Sequence, residues 1–272
     1  THDLAVVAQV ADRIMVLRRG RLVEEGPTRA MLANPEQDYT RALLSVRKGR
    51  AEKINHVDEG KPLLEVNGVT AAYANSVLVL QDVNVKVTRG KTIAVVGESG
   101  SGKSTLARVI TGLLPPIDGN IVFDGQELPA KFSDRDKEML RRVQMIYQMP
   151  DVALNPRQKI KVILGRPLEF YFGMRGEEKR QRVAQLMDQI ELPERYVNRF
   201  PSELSGGEKQ RVCIAKALAA EPDLIICDEV TSALDQLVAD DILTLLQRLQ
   251  NELGVSYLFI THDLATVKAI SD

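Results

Sequence analysis

One short stretch constrains the fold of this chain more than any other: a strand-like run, a glycine-rich turn and a helix-like run. Residues 92–110 read TIAVVGESGSGKSTLARVI, so β-branched residues lead into closely spaced glycines and then into an amphipathic pattern. The spacing from Gly97 to Lys103 and Ser104 is G-x-x-x-x-G-K-S, the pattern of a phosphate-binding loop. Glycine lets the backbone curl so that successive N–H groups face one anion, and the following helix adds its positive N-terminus.

The pattern predicts a nucleoside triphosphate site. Lys103 would reach the β- and γ-phosphates, and the Ser104 hydroxyl would bind Mg²⁺. An ordinary glycine-rich βα turn is the alternative, and the strand–turn–helix context argues against it. The residues predicted to surround the phosphates are Gly97, Glu98, Ser99, Gly100, Ser101, Gly102, Lys103, Ser104 and Thr105.

A second buried strand is predicted to end in two acids. In PDLIICDEVTSALD, the continuous apolar run of residues 224–227 is typical of a parallel strand covered on both faces. Beside a phosphate-binding loop, the Asp228 carboxylate could hold the Mg²⁺ shell, and Glu229 could polarise a water for attack on the γ-phosphate. Without that loop, a solvated strand end would be the simpler interpretation.

A third segment, ELSGGEKQRVCIAKALAAEPD, combines a helix-capping residue with two glycines. Ser205, Gly206 and Gly207 precede a helical pattern and so form another candidate anion-binding terminus. One nucleotide does not need two such sites, so we expect this terminus to face a nucleotide held by a different phosphate-binding loop. A plain helix cap remains the alternative.

Together these segments resemble the ATP-binding cassette (ABC) ATPases. Leu204–Gln210 is similar to the signature motif of that family, Ser232–Asp235 to its D-loop, and Thr261–Asp263 to its switch region. With the phosphate-binding loop and the strand ending at Glu229, five motifs occur in family order over about residues 62–272. The resemblance implies an α/β P-loop NTPase fold with an antiparallel β-subdomain and a helical subdomain at about residues 133–220.

The resemblance also implies roles for further residues. Tyr73 is similar to the aromatic residue that stacks on adenine, and Gln148 to the glutamine that contacts Mg²⁺ or the attacking water. His262 is similar to the switch histidine at the γ-phosphate. The implied catalytic residues are Glu229, His262 and Gln148, and the implied metal ligands are Ser104, Gln148 and Asp228. The residues implied to face the nucleotide of a second cassette are Ser205, Gly206, Gly207 and Glu208.

A repeat near the two ends predicts the domain organisation. Thr1–Leu4 and Thr261–Leu264 both read THDL. We therefore expect a window across a tandem fusion of two cassettes. Its parts would be the C-terminal tail of a preceding cassette at residues 1–47, a charged linker at 48–61, and an ABC ATPase domain at 62–272 that is truncated after the switch histidine.

Residues 1–47 would fill the place left by that truncation. The strand Ile14–Leu17 is predicted to pair beside Tyr257–Ile260, and Thr28 to cap a helix of about Arg29–Ala33. Separate strands are predicted at Val77–Leu80 and Val83–Val87. Helical spacing predicts helices at Asp134–Arg142, Val162–Phe172, Glu177–Glu191 and Val238–Leu253.

The expected function is ATP hydrolysis that energises import. No apolar run reaches the 18 or so residues of a membrane span, so transport would need separate permease subunits and, indirectly, a solute-binding protein. Residues 38–44 (DYTRALL) and 153–157 (ALNPR) resemble the di- and oligopeptide importer branch. Asp38 departs from the usual proline, and the cysteines of that branch's iron–sulfur site do not occur in residues 26–47.

Two other functions stay open at this point. A soluble tandem ABC ATPase acting on ribosomes or DNA usually carries a long charged linker, whereas this linker is short. The net charge of −1 also argues against nucleic acid as a partner. A regulatory nucleotide binder without turnover is disfavoured because Glu229 and His262 are both present. The expected location is peripheral, at the cytoplasmic face of the inner membrane.

Overall fold

The computed structural model describes residues 11–44, 60–73, 77–98, 100–234 and 236–261. The chain divides into two compact units, residues 1–135 with 256–272 and residues 136–255. The predicted linker lies almost wholly outside the described residues, so the predicted domain boundaries stay predictions. Among the described residues, every helix is too short or too polar to cross a membrane.

The described residues form ten strands and nine α-helices. The strands are β1 (Arg13–Arg18), β2 (Arg21–Pro27), β3 (Pro62–Tyr73), β4 (Val77–Thr88), β5 (Thr92–Gly97), β6 (Asp118–Phe123), β7 (Gln126–Glu127), β8 (Val143–Ile146), β9 (Leu224–Asp228) and β10 (Ser256–Ile260). The helices are α1 (Thr28–Ala33), α2 (Asp38–Leu44), α3 (Lys103–Ile110), α4 (Lys137–Arg142), α5 (Pro150–Ala153), α6 (Ile160–Phe172), α7 (Gly176–Gln189), α8 (Gly206–Leu218) and α9 (Gln236–Leu253).

A parallel sheet forms the centre of the first unit. Strand β5 pairs in parallel with β1 on one side and with β10 on the other, and β2 adds to β1 in antiparallel fashion. Every residue of β5 is buried, which explains its continuous apolar sequence. One face of this sheet packs into a core that includes Ile14, Val16, Met31, Ala94 and Val96.

The predicted partner of strand β1 was wrong. The sequence predicted that Ile14–Leu17 would pair beside Tyr257–Ile260, but β1 pairs with β5, with Leu17 opposite Gly97. Strand β10 occupies the opposite edge of β5, with Tyr257 opposite Thr92. The prediction assumed that strands which follow one another in a cassette are also neighbours, and parallel sheets often violate this because a crossover can skip a strand.

A second, antiparallel sheet in the first unit has the order β4-β3-β6-β7. Strand β4 runs without a break, whereas the sequence predicted two strands. Asp82 has a φ of 49° inside it, and the register between β3 and β4 shifts at several points. The strand therefore absorbs the irregularity as bulges instead of ending, and bulges of this kind bend and twist a strand.

Two short helices follow the β1–β2 hairpin. Helix α1 begins at Thr28, one residue earlier than predicted, and the residue before it is Pro27. Thr28 therefore lies in the first turn and does not cap the helix, so that prediction was wrong. Its hydroxyl is buried and makes no hydrogen bond within the described residues.

The second unit is mainly helical. Helices α6, α7 and α8 pack against one another, and α9 packs against α8. Strands β8 and β9 form a parallel pair, from Val143 opposite Leu224 to Ile146 opposite Cys227. The predicted helices correspond to α4, α6, α7 and α9. Of these, α4 begins three residues late because Arg135 and Asp136 are extended and the Asp136 side chain caps the helix.

Candidate functional site

The glycine-rich loop joins β5 to α3, as the sequence predicted. Gly100 and Gly102 have φ angles of 79° and 100°, in the left-handed region that favours glycine. A Cβ atom on Gly102 would lie 2.9 Å from Leu80 Cδ2 and 3.0 Å from the Val79 carbonyl oxygen. The loop therefore needs glycine at position 102 for space as well as for conformation. Ser99 lies outside the described residues.

Lys103 begins α3 and is almost completely buried. Its ammonium donates hydrogen bonds to the carbonyl oxygens of Gly97 and Glu98, both at 2.9 Å. The positive charge is thereby held inside the loop, close to the N-terminus of α3. Ser104 and Thr105 follow within the first turn of this helix.

Ser101 gives the loop a second polar group that is buried. Its side-chain hydroxyl makes no hydrogen bond within the described residues. A buried hydroxyl without a partner costs about 1–3 kcal/mol. A polar ligand in the loop would satisfy this group, so the loop fits an anion.

Tyr73 is tethered to α3. Its hydroxyl accepts a hydrogen bond from Arg108 Nη1 at 2.9 Å and lies 3.4 Å from Thr105 Oγ1. Thr105 and Arg108 are three residues apart on a helix and so share a face. The sequence indicated Tyr73 and Thr105 but missed Arg108, because no local pattern links it to a tyrosine 35 residues away.

In the second unit, Gln148 and Glu229 come together although 81 residues separate them. The Gln148 amide nitrogen donates to Glu229 Oε2 at 2.6 Å and to Ser232 Oγ at 3.2 Å. Asp228, at the end of β9, is buried. Glu229, the next residue, has a φ of 53°. Two of the predicted catalytic side chains therefore touch.

Ser205 and Glu208 cap α8 reciprocally. Ser205 Oγ accepts from the Glu208 N–H at 3.3 Å, and Glu208 Oε2 accepts from the Ser205 N–H at 2.7 Å. The backbone N–H of Ser205 is the main reason that the pKa of the Glu208 carboxyl lies below its usual value. Ser205 thus has the capping role that the sequence left open, and a further role at a nucleotide stays a prediction.

The two glycines after Ser205 differ in their surroundings. A Cβ atom on Gly207 would lie 2.4 Å from Val238 Cγ1 on α9, whereas one on Gly206 would make an ordinary 3.5 Å contact with Leu234. Gly207 is therefore needed for helix packing within the unit. Gly206 has no such steric requirement.

The predicted site residues are distributed over both units. Ser104 and Tyr73 belong to the first unit, and Gln148, Ser205 and Asp228 belong to the second. His262 and Asp235 lie outside the described residues, so their predicted roles stay predictions. Both cysteines are free and buried, and burial raises the pKa of the Cys213 thiol to about 12.

Comparison with known proteins decides the family. The model of the ABC transporter family matches residues 80–232, which is more than half of the chain and contains the glycine-rich loop, Gln148, Ser205 and Glu229. The chain belongs to the ABC transporter family. The predicted fold class is thereby confirmed for this cassette.

Curated relatives include ATP-binding proteins for glutathione import. The cassette chain is 34% identical to the "Glutathione import ATP-binding protein GsiA" of Salmonella paratyphi A over 306 aligned positions. It is 35% identical to the protein of the same name from Escherichia coli strain K12. Each alignment covers 100% of this chain and 49% of the relative, so the chain spans about half the length of these relatives.

Solved cassette structures are similar as well. cbiO1 from Clostridium perfringens, described as part of the ABC transporter complex cbiONQ, gives a TM-score of 0.68 at 29% identity over 76% of this chain and 81% of that chain. The cassette MJ0796, solved as a dimer in a post-hydrolysis state with ADP and Pi, gives a TM-score of 0.65 at 32% identity. That comparison covers 75% of this chain and 90% of the MJ0796 chain.

Proposed function

We propose that this cassette binds and hydrolyses ATP to energise import of peptides or related small solutes through separate permease subunits. The single observation that carries ATP binding, on which the rest of the proposal depends, is the geometry of the glycine-rich loop. Left-handed glycines curl the backbone, the Lys103 ammonium is held by two loop carbonyls, and the Ser101 hydroxyl is buried without a partner. A triphosphate matches this arrangement because it brings both negative charge and hydrogen-bond acceptors.

Nucleotide binding would use two parts of the first unit: the glycine-rich loop for the phosphates and Tyr73 for the base. The phosphates would lie along residues 97–105, with Lys103 turning from the loop carbonyls to the β- and γ-phosphates. The adenine would stack on the ring of Tyr73, whose hydroxyl is fixed by Arg108. Because Thr105 and Arg108 belong to the same helix as Ser104, α3 would set the distance between the adenine and phosphate positions.

The predicted metal ligands are of the chemical types that suit a magnesium ion. Ser104, Gln148 and Asp228 offer a hydroxyl, an amide oxygen and a carboxylate, which are the oxygen ligands that Mg²⁺ takes in proteins. A Mg²⁺ ion bound with the nucleotide would supply charge neutralisation to the β- and γ-phosphates. Gln148 suits this assignment because its amide nitrogen is bonded to Glu229 and Ser232, which leaves its oxygen for a cation.

Hydrolysis would need a positioned water. Glu229 would accept a proton from that water, and Gln148 would orient the Glu229 carboxylate through their hydrogen bond. His262 would contact the γ-phosphate. The Ser205–Glu208 segment would face a nucleotide held by a second cassette, so turnover would require two cassettes to close on ATP. The predicted tail segment of residues 1–47 would take the place of the segment that follows the switch histidine in a complete cassette.

The importing role rests on the relatives. The glutathione import proteins are similar along the whole of this chain. We therefore propose a small peptide-like solute, delivered by a solute-binding protein, and a peripheral position at the cytoplasmic face of the inner membrane. Affinity capture of the tagged protein from detergent-solubilised membranes should retain permease subunits. Recovery of ribosomes or DNA instead would contradict this role.

Two substitutions test the nucleotide site. We expect Lys103→Ala to weaken MgATP binding by about thirtyfold, because it removes charge-assisted hydrogen bonds worth about 2 kcal/mol.

We expect Glu229→Gln to keep MgATP affinity within about threefold and to lower phosphate release at least about a hundredfold in the assembled pair of cassettes. Fluorescent-nucleotide titration and a phosphate-release assay measure the two effects.

The matched control is Lys131→Ala, since Lys131 is an exposed lysine of the same unit. It should leave both measurements unchanged. Unchanged MgATP affinity in Lys103→Ala would contradict the assignment of the phosphate-binding loop. Full turnover in Glu229→Gln, with both cassettes substituted, would contradict its role as the base.

A further inference from the structure

The turn between β1 and β2 lies directly against the glycine-rich loop. The N–H of Gly20 donates to the Ser101 carbonyl at 3.0 Å, and the Gly20 carbonyl accepts from the Gln81 N–H at 2.9 Å. A single turn residue is therefore bonded both to the loop and to strand β4. All of these residues belong to the first unit.

Only glycine fits at position 20. Its φ angle is 75°, and a Cβ atom there would lie 1.9 Å from the Val79 carbonyl oxygen. The backbone of the loop is close as well, since a Cβ atom on Gly102 would lie 3.6 Å from Gly20 Cα. Three stretches of main chain thus meet here: the turn, strand β4 and the loop.

Strand β1 supports the start of the same loop. Leu17 pairs with Gly97 in the parallel sheet, and a Cβ atom on Gly97 would lie 2.4 Å from the Leu17 carbonyl oxygen. The Arg21 guanidinium donates to Gln81 Oε1 at 2.8 Å, which adds a side-chain bond between the turn and β4. The turn and the strand that leads into it are therefore bonded to the loop, to β4 and to β5.

The bond from Gly20 to Ser101 has a consequence for the next amide. The Ser101 carbonyl and the Gly102 N–H belong to one peptide unit, which is planar and trans. Holding the carbonyl toward Gly20 therefore directs the Gly102 N–H the opposite way, away from the turn. Amides that point in a common direction are what a phosphate-binding loop requires.

We propose that the β1–β2 turn is a positioning element for the phosphate-binding loop, and that Gly20 pre-orients the Gly102 amide for the phosphates. The proposal rests on the proposed function, because it concerns nucleotide binding by that loop. Gly20 does not touch the nucleotide. It acts through the Ser101–Gly102 peptide and lowers the cost of arranging the loop when the ligand binds.

Replacing Gly20 tests the proposal against a matched glycine. Gly125 has a φ of 80° in the β6–β7 turn, but a Cβ atom there would have no atom within 4 Å. Gly20→Ala and Gly125→Ala thus impose the same backbone strain, and only the first displaces the turn from the loop. We expect about tenfold weaker binding of both MgATP and magnesium tripolyphosphate in Gly20→Ala, and a change within about twofold in Gly125→Ala.

Tripolyphosphate separates the loop from the adenine site, because it has no base to stack on Tyr73. A loss confined to MgATP would overturn the proposal, since the turn would then act away from the phosphates. Equal affinities in wild type and Gly20→Ala would overturn it, and so would equal losses in the two glycine variants. Failure of the wild-type chain to bind MgATP would contradict the proposed function itself.

Hydrogen exchange covers the case in which Gly20→Ala does not fold. Arg21→Ala removes only the two side-chain hydrogen bonds to Gln81 and leaves the backbone of the turn intact. We expect faster amide exchange in the peptide that spans residues 97–104, with unchanged exchange in strand β10. Unchanged exchange in residues 97–104 would overturn the proposal.

Discussion

Glu229 combines a strained backbone with the chemistry proposed for it. Its φ of 53° lies in the left-handed region, directly after the buried strand β9. Such a conformation in a residue with a side chain costs about 1–3 kcal/mol and persists only where the surrounding structure enforces it. Here the conformation goes with a carboxylate that accepts a 2.6 Å hydrogen bond from Gln148. The strain is therefore located at the proposed catalytic base.

Comparing glycine and alanine at position 229 isolates this strain. Both Glu229→Gly and Glu229→Ala remove the carboxylate and its contacts, so both should abolish turnover. We expect the glycine variant to have the higher free energy of unfolding, by about 1 kcal/mol, because glycine adopts the left-handed conformation without steric cost. Urea unfolding followed by circular dichroism measures the difference.

Asp241, an exposed residue inside α9, provides the control. There the order should reverse, with Asp241→Ala more stable than Asp241→Gly by about 1 kcal/mol, because alanine favours a helix interior. A less stable glycine at position 229 would show that the left-handed conformation carries no strain.

At the scale of elements, helix α8 begins with residues that serve two purposes. Ser205 and Glu208 satisfy each other's backbone N–H groups, and such a cap is worth about 1 kcal/mol. The two neighbouring glycines differ in the space around them. Gly207 makes room for Val238, whereas Gly206 has ordinary space around it. Stability therefore explains why residue 207 is glycine. Residue 206 has no such steric requirement, so a functional role would have to explain the glycine there.

Alanine at each glycine separates packing from function. We expect Gly206→Ala to leave the free energy of unfolding unchanged or slightly raised, because alanine has the higher helix propensity. It should still abolish ATP hydrolysis by the assembled pair, since the added methyl would stand where the second nucleotide approaches. Gly207→Ala should lower the free energy of unfolding by about 1–3 kcal/mol through overpacking against Val238.

Thermal and urea unfolding, together with phosphate release, measure these effects. Full hydrolysis in Gly206→Ala would show that the start of α8 does not meet a nucleotide. An unchanged free energy of unfolding in Gly207→Ala would show that α9 can move away.

Local patterns in the sequence predicted most elements, and long-range pairing accounts for what they missed. Residues only three to eight positions apart define the loop between β5 and α3 and the cap of α8, so both could be predicted. The partner of β1 could not be predicted in the same way, because parallel pairing joins residues about 80 apart, such as Leu17 and Gly97. The same reason explains why the sequence missed the contact of Arg108 with Tyr73 and the role of Gly20.

At the scale of the whole molecule, the chain offers one glycine-rich loop and one signature helix to a nucleotide. In the proposed arrangement each belongs to a different nucleotide, so the chain cannot complete either site alone. MJ0796, a similar cassette, was solved as a dimer with ADP and Pi. A chain that binds ATP without hydrolysing it should therefore pair with a second copy and stay paired.

We expect Glu229→Gln to change from monomer to dimer when MgATP is added, because ATP would bridge the loop of one copy and the α8 terminus of the other. Size-exclusion chromatography with light scattering should then give about twice the monomer mass, and removal of Mg²⁺ by EDTA should return the monomer.

The double variant Lys103→Ala, Glu229→Gln should remain monomeric because it lacks the charge that holds the phosphates. Gly206→Ala, Glu229→Gln should bind ATP and yet remain monomeric, because only the facing terminus is altered. A dimer in the presence of MgATP for this last variant would place the contact between copies elsewhere and remove the argument for shared nucleotides.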